Sequence, residues 1–124
     1  MSITIFEAVG GEPTFFDLVE RFYAGVETDP ILRPLYPANL DASNRHLALF
    51  LIQYFGGPRT YIAERGHPRL RARHLPFPID RQARDAWLTH MSAAVDQMNL
   101  PAAAREEFLR YFEGAADFLI NQEP

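Results

Sequence analysis

The residues best suited to chemistry lie between Gly66 and Ile79, in GHPRLRARHLPFPI, where His74 stands between an arginine run and the prolines at 76 and 78. Positive neighbours on one side and a stiff, donor-poor backbone on the other make an unusual setting for an imidazole. Arg59, Arg65, Arg69, Arg71 and Arg73 precede it against a single acid, Glu64. Every basic residue of the chain is an arginine, the planar side chain that grips carboxylates with two parallel hydrogen bonds. Such a run suits a solvated loop, an anionic ligand or a nucleic acid. The remaining histidines, His46, His67 and His90, form no pair at the spacing that puts two zinc ligands on one helical face, and no serine or threonine has an evident base beside it. The absence of cysteine excludes disulfides, thiolate zinc and iron–sulfur clusters, and fits a reducing compartment such as the cytoplasm.

These residues have to be positioned by helices, because no segment reads as a strand. At 124 residues, nearly half of them apolar, the chain is expected to form a single domain (1–124) around one core. A short helix over 2–9 should end at Gly10-Gly11. Pro13 then suits the first turn of a helix whose buried face is Phe15, Leu18, Val19, Phe22 and Val26, with Tyr23 beside them. Asp29-Pro30 predicts a capped short helix and a corner carrying Tyr36. Asp41 should cap a longer helix with Ser43, Leu47, Phe50, Leu51, Tyr54 and Phe55 on one side, stopped by Gly56-Gly57-Pro58. From Pro58 to Pro78 no period survives, and so long an irregular connection in a small chain points to function or disorder; Tyr61, Leu70, Leu75, Phe77 and Ile79 are too apolar for the second. Asp80 should cap a helix burying Trp87, Met91, Ala94, Val95 and Met98, and Pro101 should open the last one. No apolar run approaches the length needed to span a bilayer, and the N-terminus lacks the positive run of a signal sequence.

One arrangement accounts for a lone histidine in this setting: a haem, whose macrocycle supplies the other four ligands. Leu47, Phe50, Leu51, Trp87, Met91 and Val95 on facing helices can line an apolar slot, and the arginines beside His74, Arg71 and Arg73 among them, can meet two propionates. Tyr61 and Phe77 join the expected lining from the irregular connection. A diatomic guest that draws negative charge needs donors, for which Tyr23, Tyr36 and Trp87 are the candidates. Each has a plainer reading: a tyrosine on a helical face is most often core, and Ser43 either leaves room for a guest or simply sits in a first helical turn.

The ordered motifs AVGG, RFYAGV around Tyr23, LRPLYP around Tyr36, QYFGGPRTY, RGHPRLRARHLPF around His74 and RDAWLTHM around Trp87 cover essentially the whole chain. Together they resemble the group II (O-type) truncated haemoglobins. The resemblance implies an all-α truncated globin, a two-over-two helical sandwich around haem b (iron protoporphyrin IX), with the proximal helix reduced to a turn. It makes His74 the proximal iron ligand and Tyr23, Tyr36 and Trp87 the distal hydrogen-bonding residues, and it puts Ser43 and Leu47 at the distal-helix positions nearest the ligand. His46 departs from the pattern, standing where relatives carry an arginine that meets a propionate, which would make that contact pH-dependent. Phe55 replaces a tryptophan common before the glycine pair, a change of packing.

The function implied is reversible binding of dioxygen and other diatomic ligands, with nitric oxide detoxification or peroxidase-like activity as redox extensions served by an electron-donating reductase. A monomer or homodimer with no nucleic acid partner and no membrane span is expected. The competing reading is a haem-free helical interaction or nucleic-acid module using the arginine-rich 59–73 segment; it lacks a helix-turn-helix signature, and the remainder of the chain is acidic.

Overall fold

Thr4 and Glu7 close a capping box, with Thr4 Oγ1 accepting the Glu7 N–H at 3.1 Å and the Glu7 carboxylate accepting the Thr4 N–H at 3.2 Å. This starts α1 (Ile5–Ala8) in a computed structural model that describes residues 3–122. The helix is shorter than the expected 2–9, and Ser2 lies outside the described residues. α1 folds back on the end of α3 (Asp41–Tyr54), with the Phe6 N–H donating to the Phe55 carbonyl at 2.9 Å. That approach explains the glycine pair. A Cβ on Gly56 would lie 2.6 Å from Thr4, and Gly56 also takes φ +102°; a Cβ on Gly57 would lie 2.6 Å from Phe6.

α2 (Glu12–Glu27) carries Pro13 in its first turn and buries Phe15, Leu18, Val19, Phe22, Tyr23 and Val26, as its apolar spacing predicts. It packs on α3 and on α6 (Arg81–Gln97), and α6 packs on α7 (Ala102–Phe118). The result is two helix pairs, α2 with α3 and α6 with α7, layered across the α2–α6 contact. Among the described residues there are seven α-helices and no strand. Phe15, Phe22, Phe108 and Phe112, each at most 1% exposed, form the centre of the core; fully burying each is worth about 1.5–3 kcal/mol.

Three local expectations change. The segment after Asp29 is a turn running into a 3-10 helix (Arg33–Leu35), because Pro34 and Pro37 leave no room for a longer one; Asp29 heads the turn, accepting the N–H groups of Ile31 and Leu32 at 2.7 and 3.0 Å, while the 3-10 helix itself starts at Leu32 without a side-chain cap. Asp41 is the first residue of α3 rather than its cap. Its N–H is taken by Asn39 Oδ1 at 2.8 Å, while the Asp41 charge sits at the positive end of the helix. The irregular connection contains two short helices, α4 (Thr60–Arg65) and α5 (Leu70–His74), too brief to show a period. Asp80 caps α6 as expected, accepting the Ala83 N–H at 2.8 Å.

Candidate functional site

Between the two pairs lies a cavity of about 370 Å³, within the range of small-molecule and cofactor sites. α5 brings His74 to its wall. Arg69, in the left-handed region at φ 44° with its N–H donating to His67 Nδ1 at 3.1 Å, turns the chain into α5. One turn on, His74 Nδ1 lies 2.6 Å from the Leu70 carbonyl. A carbonyl only accepts, so Nδ1 carries the hydrogen of this contact, and in the neutral ring the lone pair then falls on Nε2, the tautomer and orientation that an iron ligand requires. Asn121 braces the loop that follows, its Nδ2 donating to the His74 and Phe77 carbonyls at 3.1 and 2.9 Å and its Oδ1 accepting the Ile79 N–H at 2.8 Å. The prolines at 76 and 78 therefore share that task with a residue 47 positions away.

Tyr23 from α2, Tyr36 from the corner and Trp87 from α6 reach the same cavity. Their rings interlock, Tyr23 edge-on to Tyr36 at 5.6 Å, and Trp87 held by Phe22 at 5.2 Å and Phe112 at 5.8 Å. Burial pushes the Tyr36 hydroxyl up to about 12, against the pull of the Trp87 and Tyr23 donors on its oxygen. Tyr23 is raised further, by burial first and then by the Tyr36 hydroxyl, to which it donates. Both phenols stay protonated, and Tyr36, its oxygen already accepting, has its own O–H free to donate to a guest.

Ser43, His46, Leu47, Phe50, Leu51, Tyr61, Arg73 and Phe77 also line the cavity. Arg71, Met91 and Val95 do not, Val95 being buried in the core. Arg71 is exposed, its guanidinium 5.5 Å over the Phe118 ring, and Met91 is fully buried in the core behind the wall. Arg73 spends Nε on the Pro68 carbonyl at 2.6 Å and Nη2 on the Arg65 carbonyl at 3.0 Å, so it braces the turn before α5.

Arg84 also lines the cavity but is paired with Asp85 and Asp117 at 2.8 and 2.7 Å, so the lining cation with a donor to spare is Arg65. Its Nη1 lies 2.8 Å from each ring nitrogen of His46, its guanidinium stands over Tyr61 at 5.9 Å, and its buried Nε has no partner. A buried donor left orphaned on this half-buried cation costs energy unless a ligand completes it, and a carboxylate at the rim would do so. Burial, with Arg65 next, holds His46 below its ordinary value, so His46 stays neutral beside that charge. α7 supplies lining too: Phe112, Ala115, Ala116 and Leu119, which helical spacing with Phe108 presents as plain core, and Tyr111, which that face does not include. The readable signal was Ala115-Ala116, two small residues together on a face otherwise built of phenylalanines.

The apolar slot, the orphaned Arg65 donor and the oriented His74 fit a haem. Residues 4–121 match the family model of the bacterial-like globins. The chain belongs to that family. This truncated globin is 44% identical over 117 residues to the group 2 truncated hemoglobin YjbI of Bacillus subtilis, covering 94% of this chain and 88% of that one. Its fold superposes with a TM-score of 0.96 on the crystal structure of the haemoglobin of the thermophilic phototroph Chloroflexus aurantiacus, at 54% identity over 98% of this chain and 100% of the other. It also superposes on the truncated oxygen-avid haemoglobin of Bacillus subtilis, with a TM-score of 0.91 and 42% identity over 96% and 100% of the two chains. The truncated globin fold carries with it a haem cofactor and diatomic gas ligands. No helix among the described residues is long and apolar enough to cross a membrane.

Proposed function

We propose that this globin binds dioxygen and other diatomic ligands reversibly at haem b held by His74. The observation that carries the reading is the 2.6 Å contact of His74 Nδ1 with the Leu70 carbonyl, which ties up Nδ1 and makes Nε2 the nitrogen available to iron in the wall of an apolar cavity. Haem, when bound, supplies an iron centre that takes up diatomic gases and passes electrons. The chain does the rest. Leu47, Phe50 and Leu51 exclude water, Arg65 grips a propionate with its unpartnered Nε, and the Tyr36 hydroxyl, steadied by Trp87 and Tyr23, donates to the guest. Redox turnover of the nitric oxide detoxifying or peroxidase-like kind would draw electrons from outside the chain, and an electron-donating reductase is the partner we propose for it. The cysteine-free composition favours the cytoplasm.

The arginine-rich segment serves a nucleic acid poorly, since Arg73 is committed to backbone carbonyls and Arg65 faces the cavity. The test is direct. Purified protein should be red, with a strong band at the violet edge, and His74→Ala should retain no firmly held haem. A colourless wild-type protein that cannot be reconstituted overturns the assignment.

A further inference from the structure

The three polar aromatics of the cavity hang on three separate elements, α2, the corner and α6, and their mutual spacing depends on how those elements are tied. One contact joins all three outside the cavity. His90, three residues beyond Trp87 on α6, seats its ring against α2 at Gly25, where a Cβ would lie 2.4 Å from Nδ1. Its Nε2 lies 2.7 Å from Asp29 Oδ2, between side chains only 27% and 13% exposed. The other Asp29 oxygen accepts the N–H groups of Ile31 and Leu32, and the Asp29 carbonyl accepts the Arg33 N–H at 2.9 Å. Asp29 therefore heads the turn that ends at Tyr36. The His90 bond holds the Asp29 carboxylate below its usual range, as the backbone donors also do.

We propose that His90 is a positioning residue of the ligand pocket: seated on Gly25 and bonded to Asp29, it fixes the distance between Trp87 on α6, Tyr23 on α2 and the Tyr36 corner. The proposal rests on the haem-ligand function above. His90 does not line the cavity, so it acts through these three side chains. Their hydrogen bonds weaken steeply outside a narrow range of distance and angle, so a small shift of α6 against the corner changes what a guest experiences. A tie that served folding alone would lower the melting temperature and leave the guest's surroundings unchanged.

The experiment uses the haem-loaded protein. In the ferrous carbon monoxide form, the C–O stretching frequency reports the donors near the guest, and the oxygen dissociation rate reports their strength. His90→Phe keeps ring volume on Gly25 and removes the donor; it should raise the C–O stretch and speed oxygen release by about three- to tenfold, part of the effect of losing a hydrogen bond to a charged partner. His90→Gln, which can still donate to Asp29, should restore most of both. Gly25→Ala, pushing on the ring from the other side, should shift both in the direction of His90→Phe and stands in for it if that variant does not fold. Wild-type stretch and rate in these variants, whatever their melting temperatures, overturn the proposal. A wild-type protein that takes up no haem instead removes the function on which it rests.

Discussion

Trp87 can only donate, and it bears on the Tyr36 hydroxyl as well as lining the cavity, so it acts on a guest both directly and through Tyr36. Trp87→Phe should speed oxygen dissociation from the ferrous form roughly ten- to hundredfold, the equivalent of about 1.5–3 kcal/mol, measured by stopped flow. An unchanged rate would remove Trp87 from the ligand-holding role. At the rim the cation is Arg65 rather than a protonated His46. Arg65→Leu is expected to hasten haem loss to an acceptor globin, whereas Arg71→Leu, remote from the cavity, should leave it unchanged. His46 makes a separate prediction about pH. Its folded value lies below 6.5, the ordinary one, so under mildly acid conditions the unfolded chain takes up a proton that the folded chain refuses. That contribution to stability is complete above about pH 6.5 and declines as the pH falls through and below it. His46→Leu should flatten this acid-side decline in melting temperature between about pH 7 and 5.

At the scale of elements, the segment from Pro58 to Ile79 shows where sequence reading stops. Its prolines and missing period were plain, and His74 stood out by its neighbours. The helices α4 and α5 were not legible, because elements of six and five residues give hardly more than one turn of pattern. Asn121 was invisible for another reason: an asparagine near a chain end carries no local signal, and only the fold sets it beneath the His74 loop. Asn121→Ala should cost about 1–3 kcal/mol of stability by chemical denaturation, since it strands the Phe77 carbonyl and the Ile79 N–H and leaves the His74 carbonyl with the Phe77 N–H alone, and it should loosen haem. A stability and haem affinity equal to wild type would show that the prolines alone hold the loop.

For the whole molecule, the cavity is walled by side chains from α2, the corner, α3, α4, α5, α6 and α7, so removing its occupant should be felt throughout. A ligand that binds only the folded chain stabilises it by mass action, about 4 kcal/mol at a free concentration a thousand times its dissociation constant. Haem-free protein should therefore melt well below the haem-loaded form in calorimetry, and equal melting temperatures would mean that the cavity does not hold the group. By itself the sequence determined the helical content, the Asp29 turn, the cap at Asp80, the apolar faces of α2 and α6 and the standing of His74, because those are local; on α3 the expected face failed, since Tyr54 is exposed while Ala48, Leu49 and Ile52 are buried. Only the tertiary structure decided that Arg65 and not Arg71 faces the cavity, that Met91 lies behind the wall while Ala115 and Ala116 open it, and that His90 meets Gly25 and Asp29. Those choices depend on the angles and distances at which helices cross, and contacts such as that of His90 with Asp29, 61 positions apart, leave no trace in spacing along the chain.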